Sequence, residues 1–212
     1  MTSSIQFYTN PMSRGQIVRW MLEELGQPYE THLLGYDSAD GMKSADYLAI
    51  NPMGKVPAIV HDGHVVTECA AICAYLAESF PEARLAPAPD ERADYYRWLF
   101  FAAGPVEAAV TNKAAGFIVE PGRERMFGYG PFDRTMDVLE AAVSGRDYVC
   151  GAHFTAADVY VGSGIDWGLQ FKTMPERPGF LAYAERLRQR PAYRRAKEID
   201  NDLIAQMQAG QG

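Results

Sequence analysis

The chain has 212 residues, 48% of them hydrophobic and 22% charged, a composition that excludes a mainly disordered protein and allows one large domain or two small ones. Its formal net charge of -7, with Lys and Arg scattered, argues against nucleic acid as a partner, because a phosphate-binding surface concentrates basic residues. No apolar run approaches the ~18 residues of a membrane span, no charged-then-apolar leader pattern opens the chain, and Cys69, Cys73 and Cys150 suit a reducing compartment; the expectation is a soluble, cytoplasmic protein away from membranes.

Residues 5–8 read as a short strand, and Ile17, Met21, Leu22 and Leu25 mark one face of a helix that Gly26 and Pro28 stop. Tyr29, Thr31 and Leu33 alternate as a second strand, parallel to the first after the helical crossover. A polar stretch over residues 37–41 precedes a short helix ending at Ile50, where Asn51-Pro52 leaves α geometry. Residues 57–60 and 64–67 flank Asp62-Gly63, a pair suited to a tight hairpin, and residues 68–79 read as a helix with Ala71, Ile72, Tyr75 and Leu76 available for packing. The order is βαβ, a short helix, then ββα.

Residues 80–89 contain three prolines and make a stiff connector. The boundary therefore falls at 81–89, between an α/β domain over 1–80 and an all-helical domain over 90–212. In the second domain the pattern predicts an aromatic-rich helix over 91–119, bent at Gly104-Pro105, and a helix over 132–143. Thr155 and Asp158 have capping-box spacing at the start of a helix through Trp167, and Pro178 and Pro191 fit the first turns of the last two helices. Arg186, Arg188, Arg190, Arg194 and Arg195 read as solvated helix faces.

The run from Asn51 to Pro57 leads into a strand, and one reading is simply a loop closing into the sheet. The other is a cis Val56–Pro57 bond that turns the Val56 amide and carbonyl outward, as an edge on which an extended peptide could pair. Glu68 and Cys69 open the next helix, whose exposed amides can receive a carboxylate, while Glu68 offers an acceptor for an α-amino group. A peptide spanning both features is short and zwitterionic at one end; alternatively Glu68 only complements the helix dipole. Cys69 and Cys73 are four apart, which is neither a redox pair nor a metal cluster, and His61 and His64 read as solvent-facing, so no metal site is expected.

Taken together, Pro-Met-Gly-Lys-Val-Pro57 and Val-Thr-Glu68-Cys69-Ala-Ala-Ile-Cys-Ala-Tyr-Leu resemble the cis-proline loop and the γ-glutamyl-binding helix start of the cytosolic glutathione S-transferase family, and the likeness covers essentially the whole chain. It implies an N-terminal thioredoxin-like βαβ-α-ββα domain and a C-terminal all-helical bundle. Val56 and Pro57 would hold the cysteinyl backbone of glutathione, Glu68 and Cys69 its γ-glutamyl group, Lys55 a carboxylate, and Lys43 the glycyl end. Glutathione is then a co-substrate, with no permanently bound cofactor, and a homodimer is implied. Phe154 to Asp158 resembles the family's structural cap, which assigns Thr155 and Asp158 to folding. The family usually has Ser at position 69; a thiol donates more weakly than a hydroxyl, which implies weaker glutathione binding.

Conjugation requires the sulfur of glutathione as thiolate, whereas a free thiol titrates near about 8.5. A helix N-terminus contributes about 0.3 to 2 kcal/mol, and a hydroxyl on a charged acceptor roughly 1.5 to 3, enough for about two pKa units together. Ser13, beside the start of the first helix, resembles the thiolate-stabilising Ser of theta- and phi-like classes, although Ser13 to Gln16 is itself a capping box. Tyr8, at the end of the first strand, resembles the catalytic Tyr of other classes, and Asn10 or backbone amides are a third possibility. Met12, Tyr95, Phe101, Asn112 and Trp167 are candidates for a pocket taking a small hydrophobic electrophile, and the aromatics among them fit a core equally. The activity implied is transferase chemistry; the alternatives are a glutathione-dependent disulfide or peroxide reductase and a non-catalytic binding module on the same fold.

Overall fold

The computed structural model describes residues 4–36 and 40–209, and within the polar stretch before the short helix residues 37–39 lie outside the described part. The chain divides into two compact units, Met1–Ala83 with Arg190–Gly212, and Arg84–Gln189. The first holds a mixed four-stranded sheet in the order β2-β1-β3-β4, built from β1 (Ile5–Thr9), β2 (Tyr29–Leu33), β3 (Ala58–His61) and β4 (His64–Thr67). Strand β2 runs parallel to β1 through the crossover helix α1 (Gly15–Leu25), while β3 is antiparallel to both β1 and β4. Helices α2 (Ala45–Ile50) and α3 (Cys69–Ser79) complete the thioredoxin-like βαβ-α-ββα order. Asp62 and Gly63, both at positive φ, form the β3–β4 turn as the residue pair demands.

Helix α1 is buried well beyond the apolar face its period marks, because it packs against the sheet, α3 and the long last helix, α9 (Pro191–Ala209). Trp20 meets Tyr193 edge-on at 5.1 Å, and Glu24 takes a two-pronged bond from Arg190 at 2.6 and 2.8 Å. Arg19 is buried between α1, β2 and α9, donating to Asp200 at 3.2 Å, Thr31 at 2.9 Å and the Tyr29 hydroxyl at 3.2 Å. The arginine cluster near the C-terminus is thus engaged as well as solvated, since Arg188 pairs with Asp166 and Arg195 with Glu198 alongside Arg190 with Glu24. His61 corrects a second expectation: it is buried, 2.9 Å from the Tyr75 hydroxyl, because its strand position faces α3.

The second unit consists of α4 (Arg92–Phe101), α5 (Glu107–Ala114), α6 (Phe132–Val143), α7 (Ala156–Gln170) and α8 (Pro178–Arg188). The aromatic helix expected over 91–119 is interrupted by a π-helical turn over Ala102–Val106 and ends at Ala114. Pro105 has no N–H to give the α ladder, and widening the turn accommodates it. Part of the proline-rich connector packs here too, with Leu85 buried and its carbonyl accepting the Ala156 amide at 2.9 Å. Asp158 organises the interior. Its carboxylate accepts from the Val149 amide, the Thr155 amide and hydroxyl, and the Tyr183 hydroxyl, at 2.7, 2.8, 3.1 and 2.6 Å. Among the described residues no helix is long and apolar enough to cross a membrane, and no group of acidic, His and Cys side chains could hold a metal.

Candidate active site

Strand register gathers the site. Tyr8 pairs with Ala58, and Ala58 with Thr67, so one step further along each strand brings Thr9, Pro57 and Glu68 to the same end of the sheet. The Val56–Pro57 bond is cis, and neither the N–H nor the C=O of Val56 has a hydrogen bond among the described residues. The preceding loop is pinned instead through Lys55, whose carbonyl accepts from the Tyr47 hydroxyl at 2.6 Å and the Asn51 amide at 2.7 Å. Lys43 adds bonds to the Met53 and Gly54 carbonyls at 3.1 and 3.0 Å. Gly54 has φ 58°, and a Cβ there would lie 2.7 Å from the Met42 carbonyl, so the tight approach needs glycine.

Glu68 stands at φ 66° and ψ 117°, a conformation that non-glycine residues rarely occupy and that costs on the order of 1–3 kcal/mol. Its carboxylate is exposed and has no partner among the described residues, and the amides of Ala70 and Ala71 open α3 without an acceptor. A free carboxylate beside free helix-start amides is a complementary receptor for a group bearing both ammonium and carboxylate. The Cys69 thiol points back to the Arg14 carbonyl at 3.6 Å, which ties the start of α3 to the start of α1.

The turn from Asn10 to Ser13 leaves β1 at this end of the sheet. Asn10 is buried, with its amide nitrogen on the Leu34 carbonyl and its amide oxygen on the Met12 N–H, both at 2.9 Å. Its backbone carbonyl takes the Ser13 hydroxyl at 2.6 Å, and the Ser13 oxygen in turn accepts the Gly15 N–H at 2.9 Å. The capping box expected between Ser13 and Gln16 does not form. Helix α1 starts at Gly15, so Ser13 bonds that first amide, and the Gln16 side chain reaches the Pro11 carbonyl at 2.6 Å instead. Tyr8 lies on the other sheet face from Phe7, which packs under Arg19 of α1. Its ring stacks on His32 at 4.6 Å and tilts against Tyr47 of α2 at 5.7 Å.

A family model for the glutathione S-transferase N-terminal domain matches residues 12–79, the stretch that carries this geometry. A glutathione S-transferase of Schizosaccharomyces pombe is 31% identical over 156 residues, covering 69% of this chain and 66% of that protein's length. A glutathione transferase structure from Methylococcus capsulatus shares 27% identity at a TM-score of 0.76, over 93% of this chain and 98% of the other. The theta class glutathione S-transferase of Xanthomonas axonopodis pv. citri, solved with glutathione bound, is 29% identical at a TM-score of 0.71, over 92% and 97% of the two chains.

The chain belongs to the glutathione S-transferase family.

For this family member the structure brings together Ser13, Asn10, Lys43, Lys55, Val56, Pro57, Glu68 and Cys69 at one sheet end, with Met12 exposed beside them. Tyr8 packs with Val56 against the cluster of Met42, Tyr47 and Ala58, on the sheet face away from α1, and every side-chain polar atom of Asn10 is occupied in shaping the turn. Lys43 is likewise committed to the loop carbonyls, while the Lys55 ammonium has no partner among the described residues. In the second unit Tyr95 is fully buried, which makes it core and removes it from the residues that could face a substrate. Asn112 donates to the Tyr129 hydroxyl at 3.1 Å, Phe101 meets Trp98 edge-on at 5.8 Å, and Trp167 meets Phe171 at 5.8 Å. The sequence reasoning missed Tyr47 and Asn51 as the pins of the Lys55 carbonyl. Asn51, just before Pro52 where α2 must end, was the available signal for one of them.

Proposed function

We propose that the protein transfers the thiolate of glutathione to small hydrophobic electrophiles, and that the first unit binds the tripeptide along Val56 with its γ-glutamyl head at Glu68 and the start of α3. The observation that carries this is the convergence, by strand register, of the unpaired Val56 backbone with the strained Glu68 turn and its free carboxylate. The chain's place in a family whose Xanthomonas member was solved with glutathione bound supports the same ligand.

Ser13 is the hydroxyl assigned to the sulfur. Its proton rests on the neutral Asn10 carbonyl, and a thiolate, being charged, is the stronger acceptor and displaces that bond. The Gly15 N–H on the Ser13 oxygen polarises the hydroxyl further, and the positive end of α1 adds to the field. The thiol proton leaves to solvent, the sulfur lone pair forms the new C–S bond, and the electrophile's leaving group departs with the bonding pair. Disulfide exchange through an enzyme thiol has less support. All three cysteines are buried, with burial pushing the Cys73 thiol well above its ordinary range and that of Cys150 up to about 12.

The test is turnover with a chromogenic aryl halide and, in parallel, with a glutathione-coupled disulfide. Conjugation should fall about ten- to a hundredfold in Ser13→Ala and stay within about twofold in Tyr8→Phe. Activity confined to the disulfide would replace transfer by reduction, and failure to bind immobilised glutathione would leave a non-catalytic module.

A further inference from the structure

Helix α9 reaches the Ser13 turn through one chain of hydrogen bonds. The Lys197 ammonium donates to the Gln16 side-chain oxygen at 2.8 Å, and the Gln16 side-chain nitrogen donates to the Pro11 carbonyl at 2.6 Å. The geometry points to Lys197 as a positioning residue for thiol activation, holding the turn that carries Ser13 through Gln16.

The physical reasons are three. An ammonium on the oxygen of an amide draws electron density from its nitrogen, which makes that N–H a stronger donor. The turn is held from the sheet side by Asn10 on Leu34, by the Tyr36 hydroxyl on the Met12 carbonyl, and at Ser13 by the Gly15 and Gln16 amides, and the Gln16 side chain is the bond that ties its Pro11 end to α1. And Lys197 is itself fixed, because α9 is locked on α1 by Arg190 with Glu24, Arg19 with Asp200, and Trp20 against Tyr193. The charged and aromatic groups around the ammonium include Asp200 and Tyr193 on its own helix, the Tyr193 ring centre being 5.6 Å away. Gln16 faces it from α1. Sequence periodicity gives no sign of this relay, since its members are 181 residues apart.

This inference rests on Ser13 being the hydroxyl that meets the sulfur, so the experiment has one arm that needs glutathione and one that does not. The full chain is compared with Lys197→Met, which keeps much of the stem packing, and Lys197→Arg, which keeps a donor. In the first arm, the ultraviolet absorbance of the bound thiolate is titrated and kcat is separated from KM. Lys197→Met should lower kcat about tenfold, leave the glutathione KM within about twofold and move ionisation of the bound thiol to higher pH, with Lys197→Arg restoring most of each. In the second arm, hydrogen exchange at the amides of Met12, Ser13 and Gly15 should quicken in Lys197→Met and recover in Lys197→Arg. A purely structural role would lower the melting temperature and leave the thiol titration where it was. That result, or unchanged exchange at the three amides, overturns the inference. Wild-type protein that binds no glutathione overturns the proposed function instead, and the exchange arm still decides the relay.

Discussion

Asp158 in the second unit and Asp200 in the first are both buried carboxylates, and the two are handled in opposite ways. Asp158 in the second unit has four neutral donors on its two oxygens, three of them from residues within nine positions in the chain. Asp200 in the first has one bond from Arg19 at 3.2 Å, leaving its second oxygen and one Arg19 nitrogen buried without a partner. Burial pushes both carboxyls up to about 6, against the hydrogen bonds in Asp158 and against the Arg19 charge in Asp200. The contrast separates two uses of buried polarity. A satisfied local network builds a helix start, whereas an ion pair between distant segments fixes which helix docks where and adds little net stability.

The largest expected effect is at the satisfied site. Asp158→Ala strands the Val149 and Thr155 amides and the Tyr183 hydroxyl, at about 1–3 kcal/mol for each unsatisfied group, and should cost about 4 kcal/mol in urea unfolding. A smaller loss there than at Asp200 would reverse the comparison.

Next comes pH. A carboxyl whose folded pKa exceeds its unfolded one keeps its proton longer in the native state, so the stability tied to it is full below about pH 4 and falls as pH rises through about 6. At about 1.4 kcal/mol per unit, each site can account for up to roughly 3 kcal/mol across that window. The penalty of Asp200→Asn should accordingly be about 2 kcal/mol near pH 4 and shrink, or turn into a gain, by pH 7. A penalty that grows with pH would show that the Arg19 charge outweighs burial.

Tyr183→Phe is the smallest change. It removes one donor of four and should cost about 1 kcal/mol, seen as a shift in the urea midpoint at constant slope.

The same contrast explains what the sequence could reveal. Thr155 and Asp158 announce themselves because a cap is a local device with fixed spacing, while Arg19 and Asp200 are 181 residues apart and nothing near either predicts the other. Arg19 lies off the apolar face that Ile17, Met21 and Leu22 define, and it is buried because α9 closes over it where it lies on Phe7 and Tyr29 of the sheet. In the candidate site, Pro57 and Glu68 were legible through the chemistry of a loop entering a strand and an acid opening a helix. The positive φ of Glu68 was not, because nothing in the residue type demands it. Where Tyr8, Asn10 and Ser13 point was not legible in sequence, because it turns on two structural facts: which sheet face α1 covers, and that α1 begins at Gly15.

Isothermal calorimetry of the intact protein with millimolar glutathione addresses the account's core most directly. Saturable heat that Glu68→Ala reduces at least about tenfold in affinity, and that Tyr8→Phe leaves intact, is the predicted result. Absence of saturable heat, or binding indifferent to the loss of Glu68, would contradict it.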